Sequence, residues 1–376
     1  MRSVYLDHNA TTPIAPEVRE AMLPFLDEHF GDPSGQHAWG LAAHEAIEAA
    51  RLRVAKILGA DRSEIVFTSG GTEANNLAIW GTMLRLGRSA GGHLITSALD
   101  HASVVETSRF LEMLGFDLTV VPCDAQGVVD PEEVARAIRP DTFLASIVHA
   151  SADLGTIQPI DEISQICRDA GVLFHADAVQ TAGKVAIHVG SLDVDLLSIS
   201  AHKMGGPKGV GALYVRQGTA IEPCLHGAGN EQGLRSGTEN VPGIVGFGTA
   251  CLLAEQSLRE AADRLELFRD RLMYRLIEGF DEKGLSAAAV VHGATAERLP
   301  NTLSIRFPGI STAELLSRVP EVAASPGPNA TPALAAIGLK PAAIAETLRL
   351  SVGKSNTEDE IELAANMLLE AWESLR

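Results

Sequence analysis

The 376-residue chain carries a formal charge of −18, with 46% hydrophobic and 21% charged residues. That balance describes a globular protein and argues against nucleic acid or an anionic membrane as the main partner, while leaving room for a small anionic ligand in a local pocket. The four cysteines, Cys123, Cys167, Cys224 and Cys251, are widely spaced with no C-x-x-C pair, which excludes a zinc ribbon and disfavours a disulfide framework, so no metal site is expected.

Ser3 to Leu6 reads as a strand, entered without the basic segment and apolar run of a signal peptide. No uninterrupted apolar run reaches bilayer length, and a cytoplasmic protein is expected. A polar turn, LDHNATTP at 6–13, follows. Pro16 and Glu17 start a helix that runs to Phe30 and stops at Gly31. An alanine-rich helix covers Leu41 to Leu58 and ends at Gly59. Glu64 to Phe67 is a strand, and Thr68-Ser69-Gly70-Gly71-Thr72 turns it into a helix from Glu73. Strands and helices then alternate: His93 to Thr96, a helix from Ser103, Asp117 to Val121, a helix from Pro131, Phe143 to Val148, a helix from Ile160, Leu173 to His175, and Asp195 to Ser200. This alternation predicts an α/β fold, a mostly parallel sheet flanked by helices. A charged amphipathic helix from Leu253 to Phe280 leads to a small α+β domain. That domain has strands at Asn301 to Arg306 and Leu348 to Val352 and a terminal helix from Thr357. The expected division is a large domain over 15–255 and a small domain made of 1–14 and 256–376.

Three strand ends carry chemistry. Ser69-Gly70-Gly71-Thr72 opens a helix, where free N–H groups and the positive dipole end make an anion cup; the alternative is an ordinary turn capped by Thr72. Asp177 closes the strand in Leu173-Phe174-His175-Ala176-Asp177. A carboxylate there needs a cationic or hydrogen-bonding partner, which a pyridine nitrogen would supply; the alternative is a strand-end cap. Lys203 follows His202 and enters the turn Gly205-Gly206-Pro207, where a lysine is desolvated and usable as an amine, unless it is a surface lysine in a tight turn. A Walker-type loop fails because Gly209 follows Lys208, and the glycine-rich run 227–233 has no strand before it. Ligands bind at strand ends in α/β sheets, and an anion cup, a carboxylate and an amine are the parts required by pyridoxal phosphate.

With those residues in place the chain resembles the cysteine desulfurases, within the class V aminotransferase group of fold type I pyridoxal-phosphate enzymes. The resemblance rests on LDHNATTP at 6–13, EIVFTSGGTEANNLA at 64–78, FHADAVQTAGK at 174–184, SISAHKMGGPKGVGALYV at 198–215 and GLRSGTENVPG at 233–243. It implies pyridoxal 5'-phosphate as cofactor, with Lys203 as the Schiff-base lysine and His101 as the second catalytic residue, stacked on the ring. It also implies that Asp177 pairs with the pyridine nitrogen and Gln180 faces the phenolic oxygen. Gly71, Thr72, Ser200 and His202 would hold the phosphate. Thr238 would reach in from the second subunit of a homodimer with shared active sites. Asn9 and Arg349 would lie near a small amino-acid substrate, Arg349 gripping its carboxylate. A sulfur-acceptor protein is the further partner implied.

Two departures bear on activity. The family carries a nucleophilic cysteine in a pattern like S-x-G-x-x-C, but here the loop reads Ser325-Pro326-Gly327-Pro328-Asn329-Ala330, which puts Ala330 at the cysteine position. Where the family has an N-N-E triplet this chain has Ser151-Ala152-Asp153, and Ala152 has no side-chain donor for the cofactor's oxygen. Persulfide chemistry needs a thiolate. The expected activity is therefore β-elimination of the carbon–sulfur lyase type, on L-cysteine or a related β-substituted amino acid. A desulfurase with a relocated sulfur acceptor, Cys224 being the outside candidate, and a non-catalytic scaffold for sulfur transfer are the alternatives. Transamination and epimerisation remain open on the same scaffold.

Overall fold

The computed structural model describes residues 3–87, 91–285 and 288–376. The side chains of residues 328, 330 and 331 lie outside the described residues, and with them the expectation placed on Ala330.

Twelve strands are used below, in chain order: β1 Val4–Tyr5, β2 Ile65–Thr68, β3 His93–Ser97, β4 Asp117–Val121, β5 Thr142–Val148, β6 Leu173–Asp177, β7 Leu196–Ser200, β8 Gly211–Val215, β9 Thr302–Arg306, β10 Val322–Ala323, β11 Ser325–Pro326 and β12 Thr347–Ser351. The main sheet runs β2-β8-β7-β6-β5-β3-β4. Every pairing in it is parallel except the two made by β8. The inner strands are buried along almost their whole length, only Phe143 and Leu173 being partly exposed, as both-face coverage by helices requires. β4, at the edge, instead exposes Asp117 and Val120. The register pairs Val148 with Asp177 and Asp177 with Ser198, so the carboxyl ends of β5, β6 and β7 lie close together.

Alternation along the strands separates two apolar clusters. Ile65, Phe67, Ile95, Ala145 and Leu197 enter one with Val54 and Phe247; Val66, Leu94, Leu144 and Leu196 enter the other with Leu77, Met83 and Leu111. Neighbouring residues on a strand point to opposite faces, so these are the two helical layers of an α/β fold. A third cluster, around Leu272, Phe280, Phe307, Leu350 and Trp372, belongs to the C-terminal part and includes Val4 and Leu6. There β11-β12-β9 form an antiparallel sheet, and β1 pairs in parallel with β10.

Two helices start earlier than expected, at Ala38 and Gly71, and two others differ more. The first helix is broken into Pro16–Met22 and Pro24–Asp27, because Pro24 lacks an N–H and cannot continue the preceding ladder. The long helix spans Val241–Asp281 and is capped by Asn240, whose side chain accepts from the Gly243 N–H at 3.1 Å. Its first half is apolar enough to cross a membrane by composition, but that window is mostly buried inside the protein. Phe247 and Cys251 pack in the sheet's core, whereas Leu265 to Phe280 serve the C-terminal core. One helix thus joins both units.

Candidate active site

The carboxyl ends of β2, β3, β5, β6 and β7 empty into one cavity of about 540 Å³. Asn9, Gly71, Thr72, His101, Asp177, Gln180, Ser200, His202, Lys203 and Arg349 all line it. Of the residues expected to hold cofactor or substrate, Thr238 alone is missing from that lining; it is exposed in the segment after Gly233.

Gly71 begins the helix Gly71–Gly87, and a Cβ there would sit 2.6 Å from Val179 Cγ2, so the turn packs against β6's exit only as glycine. Ser200, at the end of β7, is buried, and its Oγ has no hydrogen-bond partner. His202 holds Thr11 through Nδ1 at 3.1 Å. Burial, then the charges of Lys203, Lys208 and Lys184, push its pKa down to about 4.

Asp177 is buried. Burial raises its pKa, opposed by two hydrogen bonds, from the Val179 N–H at 3.0 Å and from Asn75 Nδ2 at 2.7 Å. Asn75 Nδ2 also donates to Ser103 Oγ at 2.9 Å, and Ser103 Oγ meets His101 Nδ1 at 2.7 Å. A chain of hydrogen bonds therefore runs from the carboxylate to the His101 ring, which caps the helix Ala102–Met113.

Lys203 is half-buried, and Nζ donates to the carbonyls of Asn9 at 2.5 Å and Ala10 at 2.9 Å. Desolvation and the Arg349 charge push its pKa down to about 8 against the pull of Asp177, Asp7 and Asp153. Asn9 also spends its side chain on the protein: Nδ2 donates to the Ala152 carbonyl at 2.9 Å and to Thr302 Oγ1 at 2.8 Å, while Oδ1 accepts from Asn301 at 2.9 Å. Arg349 donates through Nη1 to Asp153 at 2.7 Å and through Nη2 to Asp7 at 2.9 Å and Ser325 at 2.8 Å; its Nε is buried without a partner.

Several participants escape a reading of the sequence. Asn75 lies one helical turn past Gly71, a spacing that puts both at the same face of the helix start and is the signal that would have found it. Asp100 ties two strand ends together, accepting from the Ser97 N–H at 2.5 Å and the Val148 N–H at 2.6 Å; burial pushes its pKa up to about 7. Asp7 and Lys184 gave no sequence signal beyond lying in the stretches quoted above. Among the described residues, no cysteine lines the cavity.

Known proteins resemble this chain over its whole length. A cysteine desulfurase IscS of Dictyoglomus turgidum is 42% identical over 384 residues, covering 100% of this chain and 96% of that protein. A solved structure described as a NifS-like protein superposes with a TM-score of 0.92 at 39% identity, covering 100% of this chain and 99% of that one. Another, described as SspA in complex with cysteine, gives a TM-score of 0.78 at 36% identity, over 93% of this chain and 99% of that one. The family model for aminotransferase class-V matches residues 4–363, and the chain belongs to that family, as a pyridoxal-phosphate-dependent enzyme similar to cysteine desulfurases.

Proposed function

We propose that the protein is a carbon–sulfur lyase that releases the β-substituent of L-cysteine or a related amino acid by elimination. The observation that carries this reading is a single cavity with Lys203, Asp177 and Arg349 on its wall and, among the described residues, no thiol. Cysteine as substrate draws support from the cysteine-bound relative.

The residues fit pyridoxal phosphate. The unpartnered Ser200 Oγ and the close-packed Gly71 backbone suit a phosphate at a helix start, with Thr72 and His202 beside them and Thr238 supplied by a second subunit. Asp177, buried and short of a cationic partner, suits the pyridine N–H. Gln180 would face the phenolic oxygen. Bound there, the cofactor supplies an electron sink for the substrate's α-carbon. Lys203 carries the cofactor and, released from it, takes the α-proton on Nζ, for which a pKa near neutrality is suited. Arg349 orients the substrate carboxylate. His101, held at Nδ1 by Ser103, keeps Nε2 for proton exchange with the leaving group.

None of the four cysteines is activated. Burial raises the pKa of all of them, to about 11 for Cys224 and about 12 for Cys167, and a thiol so placed is a poor nucleophile. Elimination from cysteine takes up one water and gives sulfide, pyruvate and ammonia in equal amounts. The test is to assay all three, and alanine, after incubating the holoprotein with L-cysteine. Alanine in place of pyruvate would mark sulfur transfer to an acceptor and defeat the lyase reading.

A further inference from the structure

Lys184 is a second lysine against the same site, and nothing in the chemistry above uses it. It is buried, with both of its hydrogen bonds going to one residue: Nζ donates to the Gln180 carbonyl at 2.9 Å and to Gln180 Oε1 at 2.9 Å. Among the described residues it makes no ion pair. A buried ammonium without a counter-ion is costly. Burial first, then the charges of Lys203 and Arg349, push its pKa down to about 7.

The consequence falls on the Gln180 amide. An amide can turn either its oxygen or its nitrogen towards a given neighbour, and the two choices offer opposite hydrogen-bonding groups. Nζ gives one hydrogen to the Gln180 carbonyl and another to Oε1, so Oε1 faces the lysine. Nε2 is thereby turned the other way, where it donates to the Asn9 carbonyl at 3.0 Å, the carbonyl that also receives Lys203 Nζ. One Nε2 hydrogen remains for the cavity. Val148, Ala150 and Ala152 also line the cavity, with side chains that cannot donate.

We propose that Lys184 is a positioning residue: it fixes the Gln180 amide so that Nε2 presents a hydrogen-bond donor to the cofactor's ring oxygen. The inference rests on the proposed placement of the cofactor in this cavity. A donor held on that oxygen stabilises its anionic form, which lowers the pH at which the cofactor–lysine linkage loses its proton.

The test is a spectral titration of the holoprotein, following the visible band of the cofactor–lysine linkage with pH in wild type, Lys184→Met, Gln180→Met and the double variant. The expected result is an upward move of the midpoint in each single variant by roughly one pH unit, the scale of one hydrogen bond to a charged group. The double variant should move no further than the larger single, because Lys184 acts through Gln180. An unmoved midpoint in Lys184→Met, or shifts that simply add, overturns the proposal. Lys184→Leu, which likewise has no group to donate, is the second variant should Lys184→Met not accumulate, and the same two criteria apply to it. A wild-type protein that takes up no pyridoxal phosphate would instead overturn the functional reading, and this proposal with it.

Discussion

Arg349 donates to Asp153 Oδ1 at 2.7 Å through the same guanidinium expected to receive a substrate carboxylate. With Asp7 on Nη2, two protein carboxylates already occupy it. An incoming amino acid must displace one, and Asp153, on the turn after β5, is the one set beside the cavity. Asp153→Asn is expected to lower KM for the amino acid roughly threefold to tenfold, on the order of 1 kcal/mol for a competing partly exposed pair, with little change in kcat. Burial raises the Asp153 pKa more than Arg349 lowers it. The folded state therefore binds this proton more readily than the unfolded chain, and the ionised group weighs against folding above that window. The same variant should thus keep or raise Tm. A higher KM together with a lower Tm would show that Asp153 organises the arginine and does not compete for it.

Lys203 gives a pH signature. Its pKa of about 8 lies below the ordinary 10.5. Between those values the unfolded chain binds more protons than the folded one, so this group makes stability rise with pH across that window, and its full cost is felt below it. Urea midpoints of the cofactor-free protein at pH 8 and pH 10 should show that rise, reduced in Lys203→Met. Uptake of pyridoxal phosphate needs the neutral amine, so its initial rate should climb through a midpoint of about 8. Lys203→Ala should yield no covalent attachment, and a yellow Lys203→Ala protein that survives dialysis would refute the assignment.

The strand-end residues were legible because each carries its own local signal: glycines at a strand-to-helix turn for Gly71, a charge closing an apolar run for Asp177, a lysine entering a Gly-Gly-Pro turn for Lys203. Asn75 and Asp100 are not exceptional in the chain; their roles come from contacts to strands far away in sequence, Asn75 to Asp177 and Asp100 to Val148, while Lys184 meets only Gln180 four residues before it and stands out by its burial. The strand Gly211–Val215 was missed for a related reason. Gly-Ala-Leu-Tyr-Val is apolar throughout and closely follows β7, and only its antiparallel return between β7 and β2 makes it part of the sheet. The small, uncharged first turns of the helix Val241–Asp281 are buried in the core, so they show no amphipathic stripe until Leu253.

Thr238 is exposed and does not line its own subunit's cavity. If a homodimer brings it onto the neighbour's phosphate, Thr238→Ala should weaken cofactor retention by about 1–3 kcal/mol, the scale of a hydrogen bond to a charged group. Dialysis against buffer, followed by absorbance of the remaining cofactor, measures this. A protein that is monomeric at micromolar concentration with full cofactor occupancy would contradict the shared site.

The loop from Ser325 to Ala330 decides between lyase and desulfurase. Its first residues pair with β12 beside Arg349, as Ser325 lies opposite Arg349 in the register, and Gly327–Ala330 then forms a short 3-10 turn. The chain thus enters this turn next to Arg349, the arginine proposed to bind substrate, where a sulfur acceptor would have to operate. Ala330 brings no thiol there, and the prolines at 326, 328 and 332 fix φ and restrict the loop. Cys224, the only outside candidate, is half-buried with its pKa pushed up to about 11, and so has little thiolate at neutral pH. Intact-mass measurement after exposure to L-cysteine should therefore find no added sulfur on the protein while pyruvate accumulates. Ala330→Cys should add a mass of one sulfur that a reductant removes. A sulfur adduct on the unaltered protein that disappears in Cys224→Ser would overturn the lyase reading and establish a relocated acceptor.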